Sequence, residues 1–249
     1  VNVQNSSKIN FNFYSITFIN KPMEWNKKFT YPRSTRSLIN GSRHYSLDGS
    51  NLPSVTTILK VTQSEEDKAA IEAWKQRVGH KEANRIKNEA SSRGSSMHAY
   101  LEKYLLGKFN LDLLDEEERS KKMANEIIDN GLKDKLSEVW GAEATVYFPG
   151  KYAGTADCIG IYEGKESILD FKQSNKPKKE EYIEDYFLQV GAYSLAHNTV
   201  YNSKITQGVI LICTVDRLFQ DFKIEGTDLI KYQNKFLERV EQFYQIISK

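Results

Sequence analysis

Hydrophobic and polar positions along this chain switch between two periods, and the switches mark out its elements. From Tyr152 to Tyr162 apolar and polar residues trade places over a strand-length segment, Glu163-Gly164-Lys165 follows as a tight turn, and Glu166 to Lys172 resumes the pattern. Two such runs joined by a Gly-containing turn predict an antiparallel hairpin. Ala142 to Phe148 predicts the strand before it. Gly208 to Cys213 is continuously apolar and β-branched, the signature of a strand buried on both faces. Leu218 to Ile224 adds an edge strand. Helical spacing runs from Ser64, which has Asp67 three residues on like a capped start, towards Val78. It resumes over Lys81–Leu106, with a possible interruption near Gly94 and an end at Gly107, and over Asp115–Glu138, Glu180–Asn198 and Asp228–Ile247. Nearer the start, Ile9 to Ile19 alternates as a strand, Ser37 to Leu47 pairs with another strand, and Pro53-Ser54 opens a new element. No internal repeat is present, and Ser174 to Lys179 is the only strong shift of composition within the core.

The hairpin carries the chemistry. Strand side chains at i and i+2 share a face, so Asp170 and Lys172 project together while Leu169 and Phe171 turn into the core. Asp157 on the neighbouring strand can reach the same face, close enough to share one metal with Asp170. Hard divalent cations take oxygen ligands, and phosphate chemistry places such a cation beside a lysine. Any one Asp near a turn is usually just solvated. Gln189 and Tyr193, four apart on the helix that follows, share a face that can look back at the hairpin.

The order Gly154-Thr155-Ala156-Asp157, Leu169-Asp170-Phe171-Lys172, Gln189-x-x-x-Tyr193 resembles the PD-(D/E)XK nuclease superfamily, in particular its RecB-like exonuclease branch. The similarity is greatest to the family of mitochondrial genome maintenance exonucleases and their phage relatives. It begins near Leu52-Pro53-Ser54-Val55-Thr56, passes through Arg93-Gly94-Ser95-Ser96-Met97-His98, and covers most of the chain. Asp170 stands where the superfamily often has Glu; a shorter carboxylate still ligates a metal. Iron-sulfur relatives use four cysteines. With only Cys158 and Cys213 here, such a cluster has no ligands.

The resemblance implies an α/β (α+β) fold with a restriction-endonuclease-like core: a central mixed β-sheet flanked by helices, with an N-terminal β/helical extension. On that view residues 1–60 form a basic β-rich extension packed on a nuclease core, 61–249, which carries a helical arch over about 61–138. The implied activity is hydrolysis of phosphodiester bonds in DNA from a free single-stranded end, in replication, recombination or repair. Two other readings compete: a structure-specific endonuclease of the same fold, and a catalytically decayed module that binds DNA ends.

The implied cofactor is Mg²⁺, with Mn²⁺ as a substitute, held by His98, Asp157, Asp170 and the Phe171 carbonyl. Glu102, one helical turn after His98, is expected to orient the imidazole. Lys172 would position the attacking water and stabilise developing charge, with Gln189 and Tyr193 over the site. Ser54, Thr56, Thr57, Arg93, Ser174 and Lys176 are candidate phosphate ligands, or else caps and solvated loop residues. Trp74, Tyr100 and Tyr104 are candidate stacking platforms or ordinary core. The partner is DNA, with any recombination or replication protein unidentified.

Composition adds three constraints. A chain of 249 residues, 39% hydrophobic, can fill one sizeable α/β core. It has no apolar run of about eighteen residues, the length that a spanning helix needs. Two cysteines are too few for a disulfide framework, which favours a reducing intracellular compartment: host or bacterial cytoplasm, or the mitochondrial matrix. Val1 in place of an initiator methionine is compatible with a trimmed or processed start. The net charge of +2 conceals an asymmetry: residues 1–60 hold eight Lys or Arg against Glu24 and Asp48, a balance of +6 that leaves −4 for the rest. Lys27, Lys28, Arg33, Arg36 and Arg43 interleave there with Trp25, Phe29, Tyr31 and Tyr45. That combination suits phosphates and stacked bases, or a charged edge hairpin that resists aggregation.

Overall fold

The computed structural model describes residues 23–47, 49–108 and 118–248. Its centre is a six-stranded mixed sheet in the order β1-β5-β6-β7-β8-β9. The strands are β1 (Glu24–Trp25), β5 (Leu136–Phe148), β6 (Tyr152–Tyr162), β7 (Lys165–Ser174), β8 (Gln207–Thr214) and β9 (Phe219–Glu225). β7 and β8 run parallel because α5 (Glu184–Tyr201) crosses between them; β5-β6-β7 and β8-β9 are antiparallel. The expected mixed sheet flanked by helices is therefore present.

Each face of the sheet has its own apolar core. On one side Ile168, Ile210 and Ile212 pack with α5, α6 (Thr227–Ile247) and α1 (Val55–Val61). On the other, Leu169, Phe171, Val209 and Leu211 pack with α3 (His80–Leu105) and α4 (Glu118–Ile127). This is why β8 is apolar without alternation: every residue in it is buried. Each large aliphatic side chain so buried contributes roughly 1.5–3 kcal/mol.

Several boundaries differ from the sequence reading. Ser37–Leu47 is not one strand: β2 (Thr35–Ile39) and β3 (Ser42–Leu47) form a hairpin around Asn40-Gly41, both at positive φ (50° and 74°). Asn-Gly is the pair that tolerates this left-handed turn. β4 (Ser50–Pro53) completes the small sheet, whose Tyr45, Leu47 and Leu52 pack on Ala153 of β6. The predicted Asp115–Glu138 helix is shorter, because α4 passes into a π-turn over Ile128–Leu132 and β5 already begins at Leu136. Burial of Leu136 and Val139 against the sheet outweighs the helical spacing of the charges around them. α3 runs unbroken through Gly94, where an added Cβ would make only ordinary van der Waals contact, 3.4 Å from Gln173 Cγ. The Glu180–Asn198 helix starts later, with a 3₁₀ turn over Glu180–Tyr182 before α5. α2 (Glu65–Val78) opens at Ser64 as expected, its hydroxyl accepting from the Asp67 amide at 3.0 Å. The predicted strand Ile9–Ile19 lies outside the described residues.

One buried histidine shows how the N-terminal segment is fastened. Ser203 gives its proton to Asn198, so it accepts from His197 Nδ1–H at 2.6 Å, and Nε2 accepts from the Tyr31 hydroxyl at 3.0 Å. Phe29 and Trp140 enclose the ring. Burial disfavours its cation and pushes the pKa down to about 4. The unfolded chain takes up this proton near pH 6.5 and the folded one only near 4, so stability is lost as pH falls between the two. The full loss is about 3 kcal/mol. Urea titrations at pH 7 and pH 4.5 should show this slope in the parent and a flatter one in His197→Asn.

Candidate active site

The site is built where two strands part. β6 and β7 are joined by Glu163-Gly164, at φ 48° and 80°, and pair from Tyr162↔Lys165 to Cys158↔Leu169. One step further would set Asp157 across from Asp170, but there the ladder stops. The Phe171 amide donates instead to the Asp157 carboxylate at 2.6 Å, while β7 goes on pairing with β8 as far as Ser174. The strand ends diverge around two acidic groups, Asp157 and the fully enclosed Asp170.

Across this opening α3 presents His98. Its Nε2 donates to the Phe171 carbonyl at 2.9 Å, and its Nδ1 lies 3.5 Å from Asp157 Oδ1 and 3.6 Å from Glu143 Oε1. The carboxylate beside the ring is thus Glu143 from β5 rather than Glu102. Burial opposes the imidazolium, yet Asp157 and Glu143 outweigh it and lift the pKa to about 10. Burial likewise works against the Asp157 carboxylate, and His98 and Lys172 overcome it, holding the group below its usual range.

Beneath lies the second pair. Lys172 Nζ is 2.5 Å from Asp170 Oδ2 and sits over the Tyr186 ring, 5.1 Å from its centre. Burial lifts Asp170 to about 6 despite the lysine. Burial also disfavours the Lys172 cation, and the two aspartates more than restore it, so the ammonium is held. Apart from this ion pair, neither Asp170 oxygen has a hydrogen-bond partner.

Tyr193 is buried on α5, where its hydroxyl accepts from Gln189 Nε2 at 3.1 Å. Its ring lies against Gly154: a Cβ there would fall 2.4 Å from Tyr193 Cε1. Gly154→Ala should therefore push the ring off its seat and destabilise the fold by about 1–3 kcal/mol, read as a lowered urea midpoint.

An open cleft of about 510 Å³ gathers these groups. His98, Asp157, Phe171, Lys172, Gln189 and Tyr193 line it, and so do Ser54 and Thr56. The remaining expected phosphate ligands are placed otherwise. Thr57 is buried, with its hydroxyl donating to the Arg43 carbonyl at 3.1 Å, and Ser54 caps α1 by accepting from the Thr57 amide at 2.9 Å. Arg93 is buried as a strap to Gln173 (2.9 Å) and Asn175. Ser174 folds onto the Lys176 backbone, and Lys176 is exposed. Tyr100 and Tyr104 pack against the α3/α4 core, and Trp74 is half-buried on α2.

Glu143 escaped sequence reading. His98, Glu143 and Asp157 each bring one potential ligand atom, all within 4.8 Å of one another, the only such trio among the described residues. Glu143 has φ +47°, a left-handed conformation rare for glutamate, and strain of this kind collects at functional sites. Nothing local announces it; Gly141 and Ala142, small residues beside a β-bulge, are the one sequence hint. Arg36, Arg43, Tyr45 and Tyr186 also enter the cleft wall. One imidazole, three carboxylates and a backbone carbonyl, with open lone pairs on Asp170, suit a hard divalent cation. Glu143→Gln should weaken Mn²⁺ binding about tenfold or more by calorimetry, with little change in the fold.

No family model matches the chain. Mitochondrial genome maintenance exonuclease 1 of Xenopus tropicalis is 29% identical over 216 residues, covering 81% of this chain and 60% of that protein. The Homo sapiens protein of the same name is 30% identical over 203 residues, covering 77% and 58%. The chain thus spans about three fifths of the length of the curated relatives it matches. Among solved structures, a putative exonuclease from Eubacterium rectale overlays with TM-score 0.42 at 16% identity, over 60% of this chain and 64% of that one. An alkaline exonuclease from Laribacter hongkongensis gives 0.30 at 15% identity, over 61% and 81%. The chain is similar in sequence to the mitochondrial genome maintenance exonucleases, as its motifs implied.

Proposed function

We propose that this protein is a metal-dependent DNA exonuclease that hydrolyses phosphodiester bonds from free single-stranded ends, in replication, recombination or repair. The observation that carries the reading is the conjunction at the parted strands: the His98, Glu143 and Asp157 trio opens onto the same cleft as Lys172, whose ammonium is paired with the buried Asp170 behind the cleft wall. Similarity to proteins named exonucleases supports it.

Glu143, Asp157, Asp170 and His98 would hold the cation, with the Phe171 carbonyl beside them; metal and proton compete for the imidazole. A bound Mg²⁺ or Mn²⁺ supplies Lewis-acid polarisation of the phosphoryl group and a lowered pKa for water. In the hydrolysis, the water oxygen forms a bond to phosphorus and gives up a proton to solvent, while the bond from phosphorus to the leaving sugar oxygen breaks, its electron pair staying on that oxygen, which takes up a proton from solvent to become a hydroxyl. Lys172, kept cationic and anchored by Asp170, donates hydrogen bonds to the attacking water and to the oxygens on which negative charge grows. Gln189 and Tyr193 brace the opposite wall against the strand backbone, and Ser54 and Thr56 border the path of the flanking phosphates. Helices α2 and α3, which lead to His98, would form the arch that admits a flexible strand and rejects stiff duplex. The compartment is intracellular and reducing, the mitochondrial matrix included. No helix of the described residues is long and apolar enough to cross a membrane.

The test is a time course on end-labelled linear and circular single-stranded DNA, with Mg²⁺, with Mn²⁺ and with EDTA. Loss of the linear strand alone, abolished by EDTA, is expected. Degradation of the circle points to an endonuclease, and binding without cleavage in any metal points to a decayed site.

A further inference from the structure

The basic, aromatic stretch at the N-terminal end has a role that the active cleft leaves unused. Its residues 25–34 lie along the outer side of β5 and enclose a second groove of about 500 Å³. Glu143 lines this groove as well as the active cleft, so the two meet at that residue. The segment is firmly held: the Asn26 amide donates to the Val139 carbonyl at 2.9 Å, Ser34 and Thr145 share a hydroxyl contact at 2.9 Å, and the Trp25 indole N–H donates to the Leu105 carbonyl.

Its cations fall into two kinds. Lys28 is engaged, 3.3 Å from Glu166 and over the Trp140 ring. Lys27 and Arg33 line the groove, are exposed, and have no ion pair or side-chain hydrogen bond among the described residues. The one acidic residue in the groove wall is Glu143, and nearby Glu138 is engaged by Asn26 and Trp140. Trp25, fastened at its indole nitrogen, keeps 37% of its surface exposed. Phe29 and Tyr31, which also line the groove, pack around His197.

Two unpaired cations and a pre-set exposed indole, adjoining a phosphodiester-cleaving cleft, match a single nucleic-acid strand: phosphates meet the cations and a base lies on the ring. We propose that this groove is a second nucleic-acid site, holding the strand outside the reacting phosphodiester through Lys27, Arg33 and Trp25. The proposal rests on the nuclease reading of the main cleft.

Fluorescence anisotropy with labelled (dT)12 and (dT)4, in EDTA and over a range of salt, tests it on the whole chain. The parent should bind (dT)12 more tightly than (dT)4. Lys27→Ala/Arg33→Ala should remove about tenfold of that advantage and lower the slope of log K against log salt by about 1.4, as for two lost phosphate contacts on a single strand. Trp25→Ala should cost (dT)12 about fivefold or more, and Trp25→Phe, which keeps a ring, much less. A double variant with parental (dT)12 affinity and salt slope overturns the proposal. A parallel assay of parental Mg²⁺-dependent cleavage separates the two readings. If the parent neither binds nor cleaves DNA, the main-site reading fails; if it cleaves while the double variant binds unchanged, only the groove fails.

Discussion

Lys172→Ala should lower metal-dependent digestion of single-stranded DNA by at least about 10²–10³-fold while the chain remains folded and still binds the strand. The ammonium is held at the parted strands, 2.5 Å from Asp170 and over the Tyr186 ring. Removing half of a buried ion pair usually costs about 3–5 kcal/mol. Here Asp170 is already lifted to about 6 by burial, so it can take up a proton and relieve part of that cost. Circular dichroism and thermal melts should therefore show a lowered but cooperative transition. Near-parental turnover in this variant would remove Lys172 from the site.

Asp157 should be as costly to activity and more informative about structure. Its carboxylate does two jobs: it faces His98 at 3.5 Å, and it accepts the Phe171 amide that the broken ladder leaves over. Asp157→Asn keeps an acceptor for that amide and loses the charge; Asp157→Ala loses both. Both should drop cleavage by roughly 10³-fold and abolish the rise in melting temperature on adding Mn²⁺. The alanine variant should lose a further 1–3 kcal/mol or so, for a buried N–H without a partner. Equal stability of the two would mean that the amide finds another acceptor, and an intact Mn²⁺ response would mean that the cation sits elsewhere.

How much of this was legible depended on whether a feature is local. The β6–β7 hairpin was, because its turn residues and strand spacing lie within twenty or so positions. So were β8, whose unbroken apolar run needs no partner to be recognised, and the Ser64 cap. The small-sheet hairpin was written in Asn40-Gly41 but masked by the alternation on either side of it. The long helix Asp115–Glu138 was misjudged because charges at helical spacing say nothing of the sheet that claims Leu136 and Val139. Among the hydroxyl and basic candidates, Thr57 and Arg93 have side chains suited to phosphate, yet neighbours in space have already engaged them. Residue type sets what a group can bind, and burial sets what it does.

Chain-local rules were enough to nominate the candidate site residues: a strand's two-residue period puts Asp170 beside Lys172, and a helix's four-residue spacing puts Gln189 under Tyr193. The parting of β6 from β7, the arrival of Glu143 in a strained conformation from a third strand, and the meeting of two clefts at that residue were settled by packing. Each depends on contacts between segments far apart in the chain, whose geometry follows from how two apolar cores close on one sheet, and no short window of residues records that.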